Sequence, residues 1–354
     1  MAQTPLDYLK DLLMASGPSS YESRPAALWR ERAKSYGATV REDVYGNSFA
    51  SFNETAKPNV MLAGHVDEIG LVVTYIDKEG YVYFRGVGGW DSQQLVGQRV
   101  NILGYNGDVM GVIGKKAIHM MPPDERKKIS RIQDMWIDIG ARDDEEAKAY
   151  VRPGDAAVID QPVLELLNGR LVSKALDNRI GAYIVLEAAK RAHEAGTDVG
   201  ITAVATVQEE IGHIGAGIAA FGLEPELALA IDVTHATDIP GANKKLYGDI
   251  ELGSGVSLTF GSINHRGLVH KLIDIADAEE IPYRLEATPT RTFTDADDIA
   301  KVHAGVPTAV VSIPNRYMHS PNEMIDPEDL EHVINFISMF LQKLDSSSEF
   351  RQPS

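Results

Sequence analysis

The stretch Asn59-Val60-Met61-Leu62-Ala63-Gly64-His65-Val66-Asp67-Glu68 decides how the chain is organised. Its first half is a short apolar run that reads as a buried strand, and it ends abruptly in charge. Upstream lie two helical patterns. One, opened by Thr4 and Pro5, places Leu6, Leu9, Leu13 and Met14 on one face; the other runs from about Arg24 to Tyr36 and stops at Gly37. A strand from Asn47 to Phe52 follows. Downstream the texture changes. From about Gly70 to Val163 come short β-like runs (LVVTYI, YVYFRGV, QRVNILG, DVMGVIG, DAAVID) punctuated by glycines, which read as a small barrel or sandwich. MPPDERKK, inside Met120–Arg131, reads as an exposed loop.

After Leu164 strands and helices alternate again: LVSKAL, a helix from Arg179 to His193, strand Gly200 to Val207, a helix after Gly212, and strand Leu227 to Ile231. A helix from Gly267 to Glu279, strands near Tyr283 and from Thr308 to Ile313, and a helix from Pro327 to Leu344 complete the series. That alternation predicts an α/β fold with a mostly parallel sheet and helices on both faces. The β-rich segment interrupts it, dividing the chain into 1–67 with 162–354 and an insert at 68–161. The tail DSSSEFRQPS is expected to fray.

At 354 residues the chain is long enough for two such units and a large core without covalent staples. Lys plus Arg number 34 against 51 Asp plus Glu, a net charge of −17 that argues against a nucleic-acid binder or a protein held on an anionic membrane. With no cysteine, thiolate catalysis and Cys-ligated metals are excluded, so a metal must be held by His, Asp and Glu. Asp7, Lys10 and Asp11 interrupt the N-terminal apolar residues, unlike a secretory signal. No stretch approaches the ~18 apolar residues of a membrane span. A cytoplasmic protein is the expectation.

Ligands of doubly wound sheets bind beyond the carboxyl ends of the strands. Reading each strand end in turn gives His65 and Asp67 after NVMLAG, Asp177 after LVSKAL, Glu209 and Glu210 after ITAVATVQ, Asp232 after LALAI, and His319 after VVSIPNRYM. Each alone has an ordinary explanation: Asp177 could cap a helix, and the paired glutamates could sit in a solvated loop. Together they place acids and imidazoles at one edge of one sheet, where a bound cation explains why the acids do not repel one another. His213 and His235 lie near this edge; His119, His193, His265, His270, His303 and His332 lack acidic company.

AGHVDEIG, KALDNRIGAY, VQEEIGHIGA, AIDVTHATDIPG and RYMHSPNEM occur in the order of a known family. Across essentially its whole length the chain resembles the TET-type (tetrahedral) dinuclear metallo-aminopeptidases, whose relatives are labelled glutamyl or deblocking aminopeptidases or endoglucanases. The resemblance implies an α/β peptidase domain interrupted by a β-rich dimerisation domain. It implies two divalent metals per subunit, zinc or cobalt, with manganese a further choice. By position His65 and Asp232 hold one, Glu210 and His319 the other, and Asp177 bridges them. Glu209 is the general base and Asp67 orients the His65 imidazole. The implied substrate is a short peptide trimmed from its free amine end, and the implied assembly is a twelve-subunit shell built from dimers. Val87–Trp90 and Leu95–Arg99 are the insert segments assigned to pairing.

One departure from the family pattern bears on substrate choice. A Gly-rich stretch usually precedes Thr-Asp-Ala; Pro289-Thr290-Arg291-Thr292-Phe293 stands there, before Thr294-Asp295-Ala296. Arg291, Phe293 and Asp295 are therefore candidate substrate-binding residues, with Arg291 suited to an acidic side chain. Two other functions compete. A glycoside hydrolase needs a free carboxylate pair, whereas these carboxylates are accounted for as ligands. A catalytically silent scaffold has no reason to keep the whole set.

Overall fold

The computed structural model describes residues 4–345 and residue 350; the rest of the tail expected to fray lies outside them. Its frame is an eight-stranded sheet ordered Thr39–Glu42, Ser48–Phe52, Gly200–Thr206, Asn59–His65, Leu227–His235, Thr308–Asn315, Val256–Phe260, Tyr283–Ala287. The four middle strands are parallel. The outer pairs are joined to them antiparallel, and Val256–Phe260 runs parallel to Tyr283–Ala287.

Parallel strands covered on both faces carry apolar side chains at successive positions rather than alternating ones. Asn59–His65 shows this. Val60 and Leu62 pack with the helices Pro5–Met14, Leu176–Glu194 and Pro327–Gln342. Met61 and Ala63 turn the other way, toward Ile214–Leu223 and Ala296–Ile299. Val60, Met61 and Leu62 taken out of water each contribute roughly 1.5–3 kcal/mol before chain entropy is counted. Thr4 caps the first helix by accepting the Asp7 N–H. The buried stripe of that helix is Tyr8, Leu9, Leu12 and Leu13, with Leu6 and Met14 largely exposed. Tyr8 pulls the stripe round because its ring meets Tyr183, centroids 6.0 Å apart.

The insert is a closed six-stranded barrel: Gly70–Ile76, Val82–Val87, Met135–Asp138, Gly107–Lys115, Arg99–Gly104 and Ala156–Ile159. Leu71, Val73, Phe84, Val100, Ile102, Ile113 and Ile137 fill it, and closure leaves no open strand edge. Met135–Asp138, too short to stand out in the sequence, is the strand that closes it.

Two glycines set how the longest helix lies on the sheet. A Cβ on Gly64 would stand 2.5 Å from the carbonyl carbon of Gly181, and one on Gly181 2.6 Å from the Ile231 oxygen. Strand and helix meet backbone to backbone, and the helix start at Leu176–Asp177 is carried to the carboxyl edge of the sheet. The strand before Asp177, Leu171–Ser173, belongs to a separate three-stranded sheet with Leu164–Glu165 and Glu323–Ile325. The expectation that Asp177 follows a strand of the main sheet is thus corrected: it enters from a helix start.

Candidate active site

His65 is the last residue of its strand, Asp232 lies inside Leu227–His235 rather than after it, and His319 follows Thr308–Asn315. Glu209 and Glu210 sit in an irregular loop, as two adjacent side chains serving one site require. Gln208 before them is left-handed at φ 57, and Gly212 after them has φ 128. Asp67 pins that loop. Its Oδ1 accepts the Glu209 N–H at 3.1 Å, and its Oδ2 accepts the Glu210 N–H at 3.2 Å and the Ser19 hydroxyl at 2.7 Å.

The candidates converge. His65 Nε2 lies 3.2 Å from Asp177 Oδ1 and 3.6 Å from Glu209 Oε2. His319 Nε2 lies 3.3 Å from Asp177 Oδ2 and 3.4 Å from Glu210 Oε2. Donor atoms of His65, Asp177 and Glu210 fall within 4.8 Å of one another, as do those of His65, Glu209 and Asp232. The rings face the cluster through Nε2 because Nδ1 is engaged elsewhere. His65 Nδ1 faces the Asp67 carbonyl at 3.2 Å and its carboxylate at 3.4 Å, and His319 Nδ1 faces the Gly89 carbonyl at 2.9 Å.

Burial drives the electrostatics. Glu209 and Asp232 are pushed well above the usual carboxylate range by desolvation, with neighbouring acids adding to it against the pull of His65. Asp177 is equally buried yet held low, because both imidazoles hydrogen-bond to it. Burial works against protonation of His319, but Asp177 and Glu210 overcome it and hold the ring up to about 11.

This donor set fits divalent cations. Both imidazoles present the nitrogen left free by a carboxylate or carbonyl partner, the usual arrangement for ligating histidines. Oxygen and imidazole nitrogen together suit zinc, cobalt or manganese. Glu210 Oε1 is buried without a hydrogen-bond partner in the protein, a costly state that a cation relieves.

A cavity of about 610 Å³ opens beside the cluster, lined by His65, Asp177, Glu209, Glu210 and His319 and by the loop from Thr288 to Thr294. Arg291 and Phe293 are on its wall; Arg291 Nε donates to Asp297 at 3.1 Å, and its guanidinium lies 5.4 Å from the Phe293 ring centre. Asp295 is not on the wall. It is buried behind the cluster and accepts the Thr206 hydroxyl, because the chain turns inward into Ala296–Ile299.

Two contributors escaped the sequence reading. Glu323 is buried, and its carboxylate accepts the Asp177 N–H at 2.7 Å and the His319 N–H at 3.0 Å, fixing both backbones. Its place in RYMHSPNEM, four residues after His319, was the available signal. Gly89 contributes a main-chain carbonyl, which no side-chain search finds. Histidines set aside have other duties: His265 accepts the Leu268 N–H at a helix start, and His303 stacks on Phe221.

Similarity to known proteins extends over nearly the whole chain. A family model described as M42 glutamyl aminopeptidase matches residues 46–336. Lysyl aminopeptidase of Pyrococcus furiosus is 34% identical over 342 residues, covering 96% of this chain and 97% of the relative. The crystal structure of a TET aminopeptidase from the marine sediment archaeon Thaumarchaeota archaeon SCGC AB-539-E09 superposes with a TM-score of 0.92 at 36% identity, over 96% of each chain. PhTET1 of Pyrococcus horikoshii, solved as a dodecamer, gives a TM-score of 0.84 at 31% identity, over 97% of this chain and all of that one.

Proposed function

The chain belongs to the M42 glutamyl aminopeptidase family, and on that premise we propose that this aminopeptidase removes N-terminal residues from short peptides at a site holding two divalent metals. The observation that carries the proposal is the Asp177 carboxylate set between His65 and His319 with Glu209 alongside. We assign His65 and Asp232 to one metal, Glu210 and His319 to the other, and Asp177 to both, with zinc or cobalt as the metals. When bound, the pair polarises the scissile carbonyl and activates water.

Glu209 takes the proton of the attacking water and delivers it to the leaving amine as the C–N bond breaks. Its burial suits the task, since desolvation raises its affinity for the proton it must carry from the water to the amine. Asp67 acts through others: it orients the His65 ring and, by accepting two N–H groups, sets the height of the Glu209–Glu210 loop. Arg291 and Phe293 border the space for the substrate side chain, and Arg291 favours an acidic one.

We further assign 1–67 and 162–354 to the peptidase domain and 68–161 to an inserted domain that pairs subunits. PhTET1, solved as a dodecamer, supports pairs that assemble into a twelve-subunit shell here. The deciding experiment is hydrolysis of a panel of aminoacyl chromogenic substrates by metal-replete protein, with elemental analysis before and after chelation. Activity lost with the metals and regained with them supports the reading. Full activity without metal, or hydrolysis of glucans in place of peptides, contradicts it.

A further inference from the structure

His213 lines the cavity but belongs to neither ligand group. Its side chain is a tenth exposed at most, and its two ring nitrogens face two carboxylates. Nε2 lies 3.3 Å from Glu209 Oε1, and Nδ1 lies 3.2 Å from Asp298 Oδ2. The other Glu209 oxygen, Oε2, is the one that faces His65. The base therefore has one oxygen toward the ligand cluster and one toward His213.

We propose that His213, backed by Asp298, is a positioning residue that holds the Glu209 carboxylate plane in its working orientation. The inference rests on Glu209 being the general base. A glutamate's terminal torsion is broad and nearly unrestrained by itself, so a base that must meet both a water and a leaving amine needs an outside hold. The backbone supplies the ring's place: the His213 N–H donates to the Glu209 carbonyl at 2.9 Å, and φ 55 turns the side chain back over the base. Asp298 is itself steadied, its Oδ1 accepting from Lys301 Nζ at 3.1 Å. Arg291 Nη2, 3.5 Å from His213 Nδ1, closes the ring's cavity side. Lys301, Asp298, His213 and Glu209 thus form one line from the surface to the proposed base.

The test starts from His213→Gly, because glycine adopts a left-handed backbone without strain. Metal content equal to wild type is expected, with kcat lower by about 10–100-fold, the usual effect of losing a partner that orients an active group, and KM little changed. Added imidazole should restore part of kcat, and His213→Gln, which keeps an N–H near the Nε2 position, should exceed His213→Gly. Combining His213→Gly with Asp298→Asn should cost no more than His213→Gly alone, since both act through one contact. In metal-free protein with labelled histidine, the His213 ring nitrogen signals should move on Glu209→Gln and on Asp298→Asn. Wild-type kcat in His213→Gly, a loss that imidazole leaves untouched, a missing metal, or unmoved ring signals each overturns the role. A wild type inactive on every aminoacyl substrate overturns the aminopeptidase reading itself, and this role with it.

Discussion

Asp177 gives one carboxylate oxygen to each of two histidines, Oδ1 to His65 at 3.2 Å and Oδ2 to His319 at 3.3 Å. A side chain placed this way is shared. Asp177→Asn, which keeps the shape and halves the acceptors, is expected to lower occupancy at both metal positions together, with activity near background even in excess metal. Elemental analysis of the reconstituted variant checks it; one full and one empty position would show that Asp177 serves a single metal.

Adjacent glutamates are expected to fail differently. Glu209→Gln should keep both metals and lower kcat by about 10²–10⁴-fold, the usual contribution of a general acid–base group. Glu210→Gln should lose part of one metal and recover with excess metal. Stoichiometry measured beside kcat decides it, and the reverse pattern would exchange the two roles.

Glu22 is buried near Asp67, and burial first, then that neighbour's charge, raises its carboxyl from 4.5 to about 7. The folded protein therefore keeps a proton that the unfolded chain releases across this window. This contribution lowers stability as pH rises from about 4.5 to 7 and levels off above. Glu22→Gln keeps an oxygen for the Ser20 and Gln208 N–H groups, at 2.7 and 3.1 Å, and removes the slope. A gain on the order of 3 kcal/mol at pH 8 is expected. Melting curves across the window are the measurement, and parallel pH profiles for both proteins would refute it.

Arg291 spends its Nε on Asp297 and keeps the rest of its guanidinium half exposed at the cavity. Arg291→Ala should lower glutamyl relative to leucyl hydrolysis by a factor corresponding to about 1 kcal/mol, the upper range for a solvent-exposed charge pair. An unchanged ratio removes Arg291 from substrate recognition.

Gly64→Ala inserts a methyl group into backbone, 2.5 Å from Gly181. Overpacking of this kind costs typically 1–3 kcal/mol. Because the displaced helix carries Asp177, a weaker metal affinity should accompany the lower melting temperature. A variant as stable and as tightly metallated as wild type would show that the two elements can part without disturbing the site.

The parallel core was legible because Asn59–Ala63, Leu227–Ile231 and Thr308–Ile313 are continuous apolar runs, and such runs ending in His or Asp point to a shared edge. The barrel was legible from its glycine-punctuated runs, apart from Met135–Asp138, whose four residues carry too little pattern. Asp177 was found for an incomplete reason. Its preceding strand reads like the others, and only three-dimensional pairing assigns that strand to another sheet. Asp295 lies buried off the cavity wall: sequence shows nearness to a pocket loop, not the direction a chain turns. Glu323 works through its grip on two backbone N–H groups, and only its place in RYMHSPNEM, four residues after His319, marked it in the sequence. His213 drew notice by proximity alone, and its partner Asp298 lies 85 residues away.

The hydrogen bond between His319 Nδ1 and the Gly89 carbonyl joins a proposed metal ligand to the main chain of the barrel segment. Linkage is reciprocal. If His319 holds a metal as proposed, whatever favours the seated position of the barrel segment strengthens that hold, and metal binding favours the seating by the same factor. If the barrel pairs subunits, crowding of the protein and supply of metal become interchangeable inputs. Dilution then behaves as a weak chelator, and added cation as extra protein.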